Sequence, residues 1–555
     1  MKMTGAQILV ESLIEQGVDT IFGFPGGAVL NIYDALYASS DRVKHVLCSH
    51  EQGAAHAADG YARSTGKTGV VLATSGPGAT NLVTGIATAF MDSVPLVALT
   101  CNVPLDLIGR DSFQEIDIYG ITVPITKHNF FVTDPAELAD TVRQAFEIAS
   151  SGRPGPVLID IPKDISAKTA EYVPAGRYRL RLLPAPSPAR LDAVAEAIQK
   201  SARPLIYAGG GVVQSGASEE LLALAKRMHS PVSTSIMGLS AVPHDFHLSM
   251  GMIGMHGTPA SGKAVAECDL LLTIGARFSD RVFGDRSRFA QGATIIHVDI
   301  DPCEFDKNIA AAIKVRGDAK EVMAGLLERL EQQEHSEWMH ELLRYKALNP
   351  LPTPADQQGV QSREILGQLQ QVLGEDAIIA TDVGQHQMHT AQYYPFTQPR
   401  SFLSSCGLGT MGYGMGAAVG AQTGNPHRRV ALITGDGSFH MNMSEMATAV
   451  TEGLPLLVLV MNNGVLGMVR QWQRLFYDCR YSSTTLNRQT DFVKLAEAFG
   501  ALGLRIESRE QIRPVLEQAA ASGRPCVIDC VLDKDASVYP IIPPGKTGHD
   551  MIFCD

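Results

Sequence analysis

One pattern recurs along the chain and restricts its fold more than any other feature. A short Val/Ile/Leu run leads into a glycine-rich turn, a helical stretch and a second apolar run. It is found as TGVVLATSGPGATNLVTGIATAFMDSVPLVALT, as RPLIYAGGGVVQSGASEELLALAKRMHSPVSTS and as RRVALITGDGSFHMNMSEMATAVTEGLPLLVLVMNN. Strands that are apolar throughout are buried on both faces, as in parallel sheets covered by helices. The expected class is α/β: three doubly wound domains, each with a mainly parallel sheet flanked by helices. They are read at 1–165, 190–332 and 363–540, with Pro-containing linkers around 165–190 and 333–362. At ~100–200 residues per domain, a chain of 555 residues has room for three such units. Ligands of these sheets sit beyond the carboxyl ends of the strands, where glycine-rich turns open helices.

Composition narrows the partners. Net charge is −12 and no block of Lys and Arg occurs, so the footprint of a nucleic-acid binder is missing. The nine cysteines lack paired metal spacing; Cys526 and Cys530 flank an apolar run and read as strand packing. Reduced thiols of a cytoplasmic enzyme are expected. The N-terminus has no signal-peptide layout. Instead Thr4 and Gln7 form a helix capping box, with Ile8, Leu9, Leu13 and Ile14 on one face. The longest apolar stretch, Leu454 to Met461, is too short to cross a bilayer.

The third block carries the sharpest chemistry. Its strand RVALIT ends at Gly435-Asp436-Gly437-Ser438, and the strand LPLLVLVM ends at Asn462-Asn463-Gly464. A right-handed crossover makes the two strands parallel, so Asp436 and Asn463 emerge at the same sheet edge. A carboxylate and an amide oxygen are hard ligands suited to Mg²⁺ or Ca²⁺, and Mg²⁺ completes its octahedron with phosphates and water. Gly435 and Gly437 admit a diphosphate close to the backbone, and a helix start after Ser438 favours its charge. Either turn alone is ordinary turn chemistry; the pair at matched strand ends points to a metal–diphosphate site.

The first block contains KHVLCSHEQGAAHAADGYARSTGKTG. A strand ends near Cys48, and Ser49 with Gln52 reads as a capping box that puts Glu51 in the first helical turn. The small residues Gly53, Ala54, Ala55, Ala57, Ala58 and Gly60 imply very close helix packing. In isolation Glu51 would only complement the helix dipole.

Gly-Asp-Gly followed by Asn-Asn resembles the thiamine-diphosphate fingerprint, and HEQGAAHAADGYAR resembles the segment that carries the activating glutamate of those enzymes. Over nearly the whole chain the resemblance is to the catalytic, large subunits of acetolactate synthase (acetohydroxyacid synthase). It is carried by FGFPGGAVLNIYDAL, ATSGPGATNLVTGIATA, DSFQEIDIYGIT, GMIGMHGT, IGARFSDRVFGD, HVDIDPCEFDKN, DVGQHQMHTAQYY, GLGTMGYG and NNGVLGMVRQWQRLFY.

The resemblance implies three cofactors: thiamine diphosphate, Mg²⁺ and FAD. Glu51 would act on the cofactor pyrimidine from a desolvated position, with Gln114 and Lys163 as further catalytic residues and Pro25, Gly26 and Gly27 near the reaction centre. Asp436, Asn463 and the Val465 carbonyl would hold Mg²⁺. Gln385, His386, Gly409, Met411, Gly435, Gly437 and Ser438 would contact thiamine diphosphate, Met411 as the wedge that bends it.

FAD would lie on Gly209, Gly210, Gly211, Met255, His256, Gly257, Arg277, Asp280, Asp299 and Asp301, in a structural role. Phe113 and Trp472 would shape the substrate site, Trp472 as an apolar slot for the extra methylene of 2-oxobutyrate. Arg281 would pair with the substrate carboxylate, a task suited to a planar cationic fork.

The implied reaction decarboxylates pyruvate and condenses the remaining two carbons with a second pyruvate or with 2-oxobutyrate, in branched-chain amino-acid biosynthesis. The alternatives are a catabolic acetolactate synthase or a pyruvate oxidase. A homodimer or homotetramer and a small regulatory subunit are expected, with no nucleic acid and no membrane. Three positions depart from the family: His389 stands where Trp is usual, Cys406 interrupts a Gly pair, and Gly416 replaces a frequent Pro.

Overall fold

The computed structural model describes residues 1–177, 185–351 and 359–554. The parts of the two expected linkers at 178–184 and 352–358 lie outside the described residues. The described parts of the linkers are structured: strand Thr169–Glu171 pairs antiparallel with Lys2–Thr4, and helix Ser336–Leu348 packs on the middle unit, where the Trp338 indole N–H donates to the Pro204 carbonyl.

Three six-stranded sheets form the cores, and every pairing within them is parallel. The first runs Lys44–Leu47, Thr20–Phe24, Gly69–Ala73, Leu96–Asn102, Pro156–Pro162, His128–Phe131. The third repeats this connectivity with Phe402–Ser404, Ile378–Thr381, Val430–Gly435, Leu457–Asn462, Cys526–Val531, Leu502–Ile506. The middle sheet is wound differently: Ser249–Met252, Val232–Thr234, Pro204–Ala208, Leu270–Ile274, Thr294–Asp299, Ile313–Arg316. Numbered within its own sheet, that is the order 3-2-1-4-5-6 of dinucleotide-binding folds, which reverses between Pro204–Ala208 and Leu270–Ile274. The expected three doubly wound sheets are present. Cys526 and Cys530 are strand packing, both buried in the third core.

Local signals explain the element ends. The Thr4–Gln7 capping box opens helix Gly5–Glu15, whose Ile8, Leu9 and Leu13 are buried. The cap of helix Glu51–Thr65 differs from expectation: His50 is the N-cap, its Nδ1 accepting from the Gln52 N–H. Ser49 is unavailable because its N–H donates to the Glu445 carboxylate and its hydroxyl to the Ser444 carbonyl.

The small residues of that helix serve the close packing expected of them. Helix Glu51–Thr65 lies on helix Tyr413–Gly424, joining the first and third units. A Cβ at Gly420 would lie 1.8 Å from the Ala57 carbonyl oxygen, and one at Gly60 2.2 Å from that of Ala417. Gly416 belongs to the same seam, where a Cβ would lie 2.5 Å from the Gly53 carbonyl oxygen and 2.8 Å from His56 Cβ. This chain has therefore closed the seam around a glycine. Gly416→Ala is expected to destabilise the protein by about 1–3 kcal/mol through overpacking. Thermal denaturation checks it: an unchanged melting point would mean that the seam is slack.

Candidate active site

The strand ends of the third sheet build the first wall. Val430–Gly435 and Leu457–Asn462 are neighbours with Gly435 opposite Met461, so Asp436 and Asn463 leave the sheet side by side. Helix Asp436–Asn442 begins three residues earlier than the start expected after Ser438, which puts Gly437 and Ser438 in its first turn. Burial pushes the Asp436 carboxyl up to about 6. The Asn463 side-chain oxygen accepts from the Val465 N–H at 3.2 Å, and its amide donates to Gln385 Oε1 at 3.2 Å. Gln385 in turn donates to the Ala536 carbonyl at 2.9 Å. His386 is held neutral, its pKa lowered to about 3 by burial, and its Nε2 has no protein partner. A Cβ at Gly435 would lie 2.9 Å from His386 Nδ1, so only glycine leaves the ring its place. Ser438 Oγ donates to the Val383 carbonyl at 3.2 Å.

These groups line one cavity of about 1610 Å³ that continues into the middle unit. Gly409 and Met411 border it from the turn before helix Tyr413–Gly424. On the far side stand Gly210, Gly211, Met255, His256, Arg277, Asp280, Arg281 and Asp299. Gly211 meets the neighbouring strand end closely: its N–H donates to the Gly275 carbonyl at 2.9 Å, and a Cβ would lie 2.7 Å from Gly275 Cα. His256 is neutral, lowered to about 4 by burial, with Nδ1 near the Pro540 carbonyl and Nε2 unpartnered. Tyr207, fully buried, also borders the cavity. Unpartnered buried polar atoms around a large cavity fit a polar ligand that completes their hydrogen bonds.

Arg281 and Trp472, 191 residues apart in the chain, both line this cavity and meet there. The guanidinium lies 5.7 Å from the indole centroid, and Phe476 meets Trp472 edge-on. The C-terminal segment supports them: the Ile542 N–H donates to the Met255 carbonyl, and the Met255 N–H to the Arg281 carbonyl.

Three expected flavin contacts lie off this wall. The Gly209 N–H donates to the Ile274 carbonyl, and the Gly257 N–H closes a turn onto the Gly254 carbonyl. The Asp301 carboxylate accepts from Cys303 N–H and Arg153, which also pairs with Glu304 at 2.7 Å. Several lining residues escaped the sequence reading: Ser235, Ile236 and Met237 after Val232–Thr234, and Gly317, Asp318 and Ala319 after Ile313–Arg316. Their positions at strand carboxyl ends were the available signal.

Of the departures, His389 lines the cavity, kept neutral near 4 by burial, and Cys406 borders it through a turn held by Asp92.

Glu51 stands apart from this cavity. It is 8% exposed at the first position of its helix, and Oε2 accepts from Asn81 Nδ2 at 2.9 Å. Around it the segment 74–78, which leads into helix Pro77–Asn81, gathers other expected residues. A Cβ at Gly78 would lie 3.1 Å from Glu51 Oε1, one at Gly26 2.5 Å from Thr74, and one at Gly76 2.8 Å from Gln114 Cβ. Gln114 has a left-handed backbone, φ 61°, and Phe113 beside it is 88% exposed. Pro25 is half-buried, Gly27 opens to free space, and Lys163 is exposed at the start of helix Lys163–Ala167. None of Pro25, Gly26, Gly27, Glu51, Phe113, Gln114 or Lys163 lines the cavity that holds Asp436.

Three family models match along the chain: the thiamine pyrophosphate enzyme N-terminal TPP-binding domain at 3–121, the central domain at 191–326 and the C-terminal TPP-binding domain at 382–530. Curated relatives match over almost the full length. The acetolactate synthase large subunit of Parasynechococcus marenigrum is 48% identical, covering 99% of this chain and 91% of its own. The acetolactate synthase isozyme 2 large subunit of Escherichia coli is 43% identical, covering 99% of both. A probable acetolactate synthase large subunit of Methanocaldococcus jannaschii is 47% identical, covering 98% of this chain and 94% of its own.

The chain belongs to the acetolactate synthase large-subunit family of thiamine-pyrophosphate enzymes. In this family member the two TPP-binding domains are the pair of sheets with identical strand order, and the central domain is the dinucleotide-type sheet between them. Among the described residues no helix is long and apolar enough to cross a membrane. Nor do they contain a cluster of three or more His, Cys, Asp or Glu arranged for a metal. A cation at Asp436 would thus meet one carboxylate plus amide and carbonyl oxygens, a donor set that suits Mg²⁺ finishing its shell with phosphate and water.

Proposed function

We propose that the chain is the catalytic subunit of an anabolic acetolactate synthase. It decarboxylates pyruvate and joins the two-carbon unit to pyruvate, giving 2-acetolactate, or to 2-oxobutyrate, giving 2-aceto-2-hydroxybutyrate, for branched-chain amino-acid synthesis in the cytoplasm. The observation that carries this reading is one cavity joining the Asp436–Asn463 strand ends to the Arg281–Trp472 pair. At about 1610 Å³ it exceeds the ~300–1,000 Å³ of a single small-molecule pocket, which leaves room for two cofactors and a substrate path.

Asp436, Asn463 and the Val465 carbonyl would hold Mg²⁺, and Gln385, His386, Gly435, Gly437 and Ser438 the diphosphate. Gly409 and Met411 would set the bend of the cofactor. Thiamine diphosphate, when bound, supplies the nucleophilic carbon and the electron sink that lets CO₂ leave. The chain does the rest. Glu51 holds and returns a proton at the pyrimidine N1′, Arg281 orients the substrate carboxylate, and the Trp472 face admits an ethyl group in preference to bulk water. FAD would occupy the middle-domain wall of Gly210, Gly211, Met255, His256, Arg277, Asp280 and Asp299 as a structural group. Gly209, Gly257 and Asp301 would shape that wall from behind.

Glu51 and its neighbours Pro25, Gly26, Gly27, Phe113, Gln114 and Lys163 would serve the cavity of a second copy. The supporting features are their separation from Asp436 within one chain and the apolar side chains exposed around them, Phe24, Leu107, Ile108 and Phe113 among them. A small regulatory subunit is part of the reading, since the relatives are large subunits by name.

Incubating the purified protein with Mg²⁺, thiamine diphosphate, FAD and pyruvate tests the proposal. Acetolactate is the expected product; acetaldehyde or acetate as the main product would replace the synthase with a decarboxylase or an oxidase on the same cofactor.

A further inference from the structure

Asp92 sits where local sequence gives it no reason to be. It is the C-cap of helix Val83–Met91, and a carboxylate there opposes the helix dipole. It is also buried, and a buried charge persists only when it is paired and hydrogen-bonded. Its partners come from elsewhere. Oδ1 accepts from the Gly407 N–H at 2.7 Å; Oδ2 accepts from the Cys406 N–H at 3.0 Å and from Arg63 Nη2 at 2.9 Å. One N-terminal-domain carboxylate thus binds two successive peptide N–H groups of a C-terminal-domain turn.

We propose that Asp92 is a positioning residue that sets the turn 405–411, and with it Gly409 and Met411 at the wall of the cavity. Four further contacts make the clamp two-sided. Arg63 pairs with Asp59 at 2.6 Å and donates through Nη1 to the Ser404 carbonyl at 3.0 Å, just before the turn. Just after it, the Tyr413 hydroxyl donates to the same Asp59 at 2.7 Å. Between them, the Thr88 and Thr410 hydroxyls lie 2.8 Å apart.

Gly407 is required by this arrangement. A Cβ there would lie 2.7 Å from Asp92 Oδ1 and 2.9 Å from the Met91 carbonyl oxygen. Gly409 is the opposite case: it has φ 71° and nothing within 4 Å of where a Cβ would stand. Inside the turn the Thr410 N–H donates to Ser405 Oγ at 3.0 Å, which ties the stretch around Gly409 to the base that Asp92 holds at Cys406 and Gly407.

The clamp is intramolecular, so the N-terminal domain shapes the diphosphate half-site of its own chain even though its glutamate serves another. This kinetic role rests on the proposed thiamine-diphosphate function; the clamp itself does not.

Asp92→Asn in the full-length chain is the test, since Asp59 still pairs with Arg63 and Asn keeps one acceptor. Hydrogen exchange without any ligand should quicken about tenfold at the amides of 405–411, the loss expected for one buried hydrogen bond. Helix Glu51–Thr65 should stay unchanged. With Mg²⁺ and thiamine diphosphate, kcat should fall about tenfold while the cofactor Kd stays within about threefold, because the metal–diphosphate ligands are untouched.

Thr88→Val, which removes a milder contact to the same turn, should move both readouts in the same direction and stands in if Asp92→Asn is insoluble. Unchanged exchange at 405–411 in whichever variant folds would overturn the proposal. So would kcat and cofactor affinity falling together with global stability. If the native protein forms no acetolactate, the functional reading fails while the exchange result still decides the clamp.

Discussion

Glu51→Gln is expected to cut turnover by about 10²–10⁴-fold, the range supplied by a positioned acid–base group. That is about 3–5 kcal/mol of transition-state stabilisation. Gln matches the size of Glu and retains an oxygen for Asn81 Nδ2, so the helix start and its surroundings should survive. What it loses is the ability to take up and return a proton. The variant should therefore bind thiamine diphosphate with nearly native affinity and melt at nearly the native temperature while failing to turn over. Stopped-flow and steady-state kinetics with pyruvate check it, and normal turnover by the variant would sink the proposed role of Glu51.

Mixing two inactive chains should restore activity. Asp436→Ala removes the one carboxylate expected to hold the cation, and on its own should abolish cofactor-dependent turnover. Glu51→Gln damages the other half-site. If each active site combines Glu51 of one chain with Asp436 of another, random pairing makes half the dimers mixed, and each mixed dimer holds one intact site of two. Co-expression should then return about a quarter of native activity.

The geometry favours this outcome. Glu51 cannot swing toward Asp436 of its own chain, because helix Glu51–Thr65 is locked against helix Tyr413–Gly424 by contacts that leave no room for a Cβ at Gly60, Gly416 or Gly420. Failure of the mixture to exceed either variant alone, in dimers shown to be mixed, would mean that the site forms within one chain.

How much of this was legible in the sequence depends on the range of the interactions involved. The three sheets were, because parallel strands buried on both faces leave unbroken apolar runs, and the turns between strand and helix need glycine at fixed places. The Asp436–Asn463 pair was legible for the same reason: both residues follow directly from adjacent parallel strands.

Long-range partners defeated the reading elsewhere. Ser49 has the right chemistry for an N-cap, yet residues almost four hundred positions away engage it, the Ser444 carbonyl taking its hydroxyl and Glu445 its N–H, and the cap falls to His50. Asp92 looks like an ordinary polar residue after a helix; its meaning comes from Cys406 and Gly407 in another domain. The resemblance gave Arg281 and Trp472 separate substrate roles, but their contact was not legible, since no spacing rule joins a short middle-domain helix to a C-terminal-domain helix. The glycine triplet also has partners far along the chain. Its sequence does not show that Gly209 and Gly211 donate their N–H groups to the Ile274 and Gly275 carbonyls, a tight junction between neighbouring strand ends beside the cavity that Gly210 and Gly211 line.

The most direct test of the central claim is a competition measurement. The purified protein, loaded with Mg²⁺, thiamine diphosphate and FAD, is given pyruvate with increasing 2-oxobutyrate, and both acetohydroxy acids are quantified. The account predicts 2-acetolactate from pyruvate alone and a strong preference for 2-aceto-2-hydroxybutyrate once 2-oxobutyrate is present, because the Trp472 face gains apolar contact with the extra methylene. Absence of both condensation products, with pyruvate consumed to acetaldehyde or acetate, would contradict it.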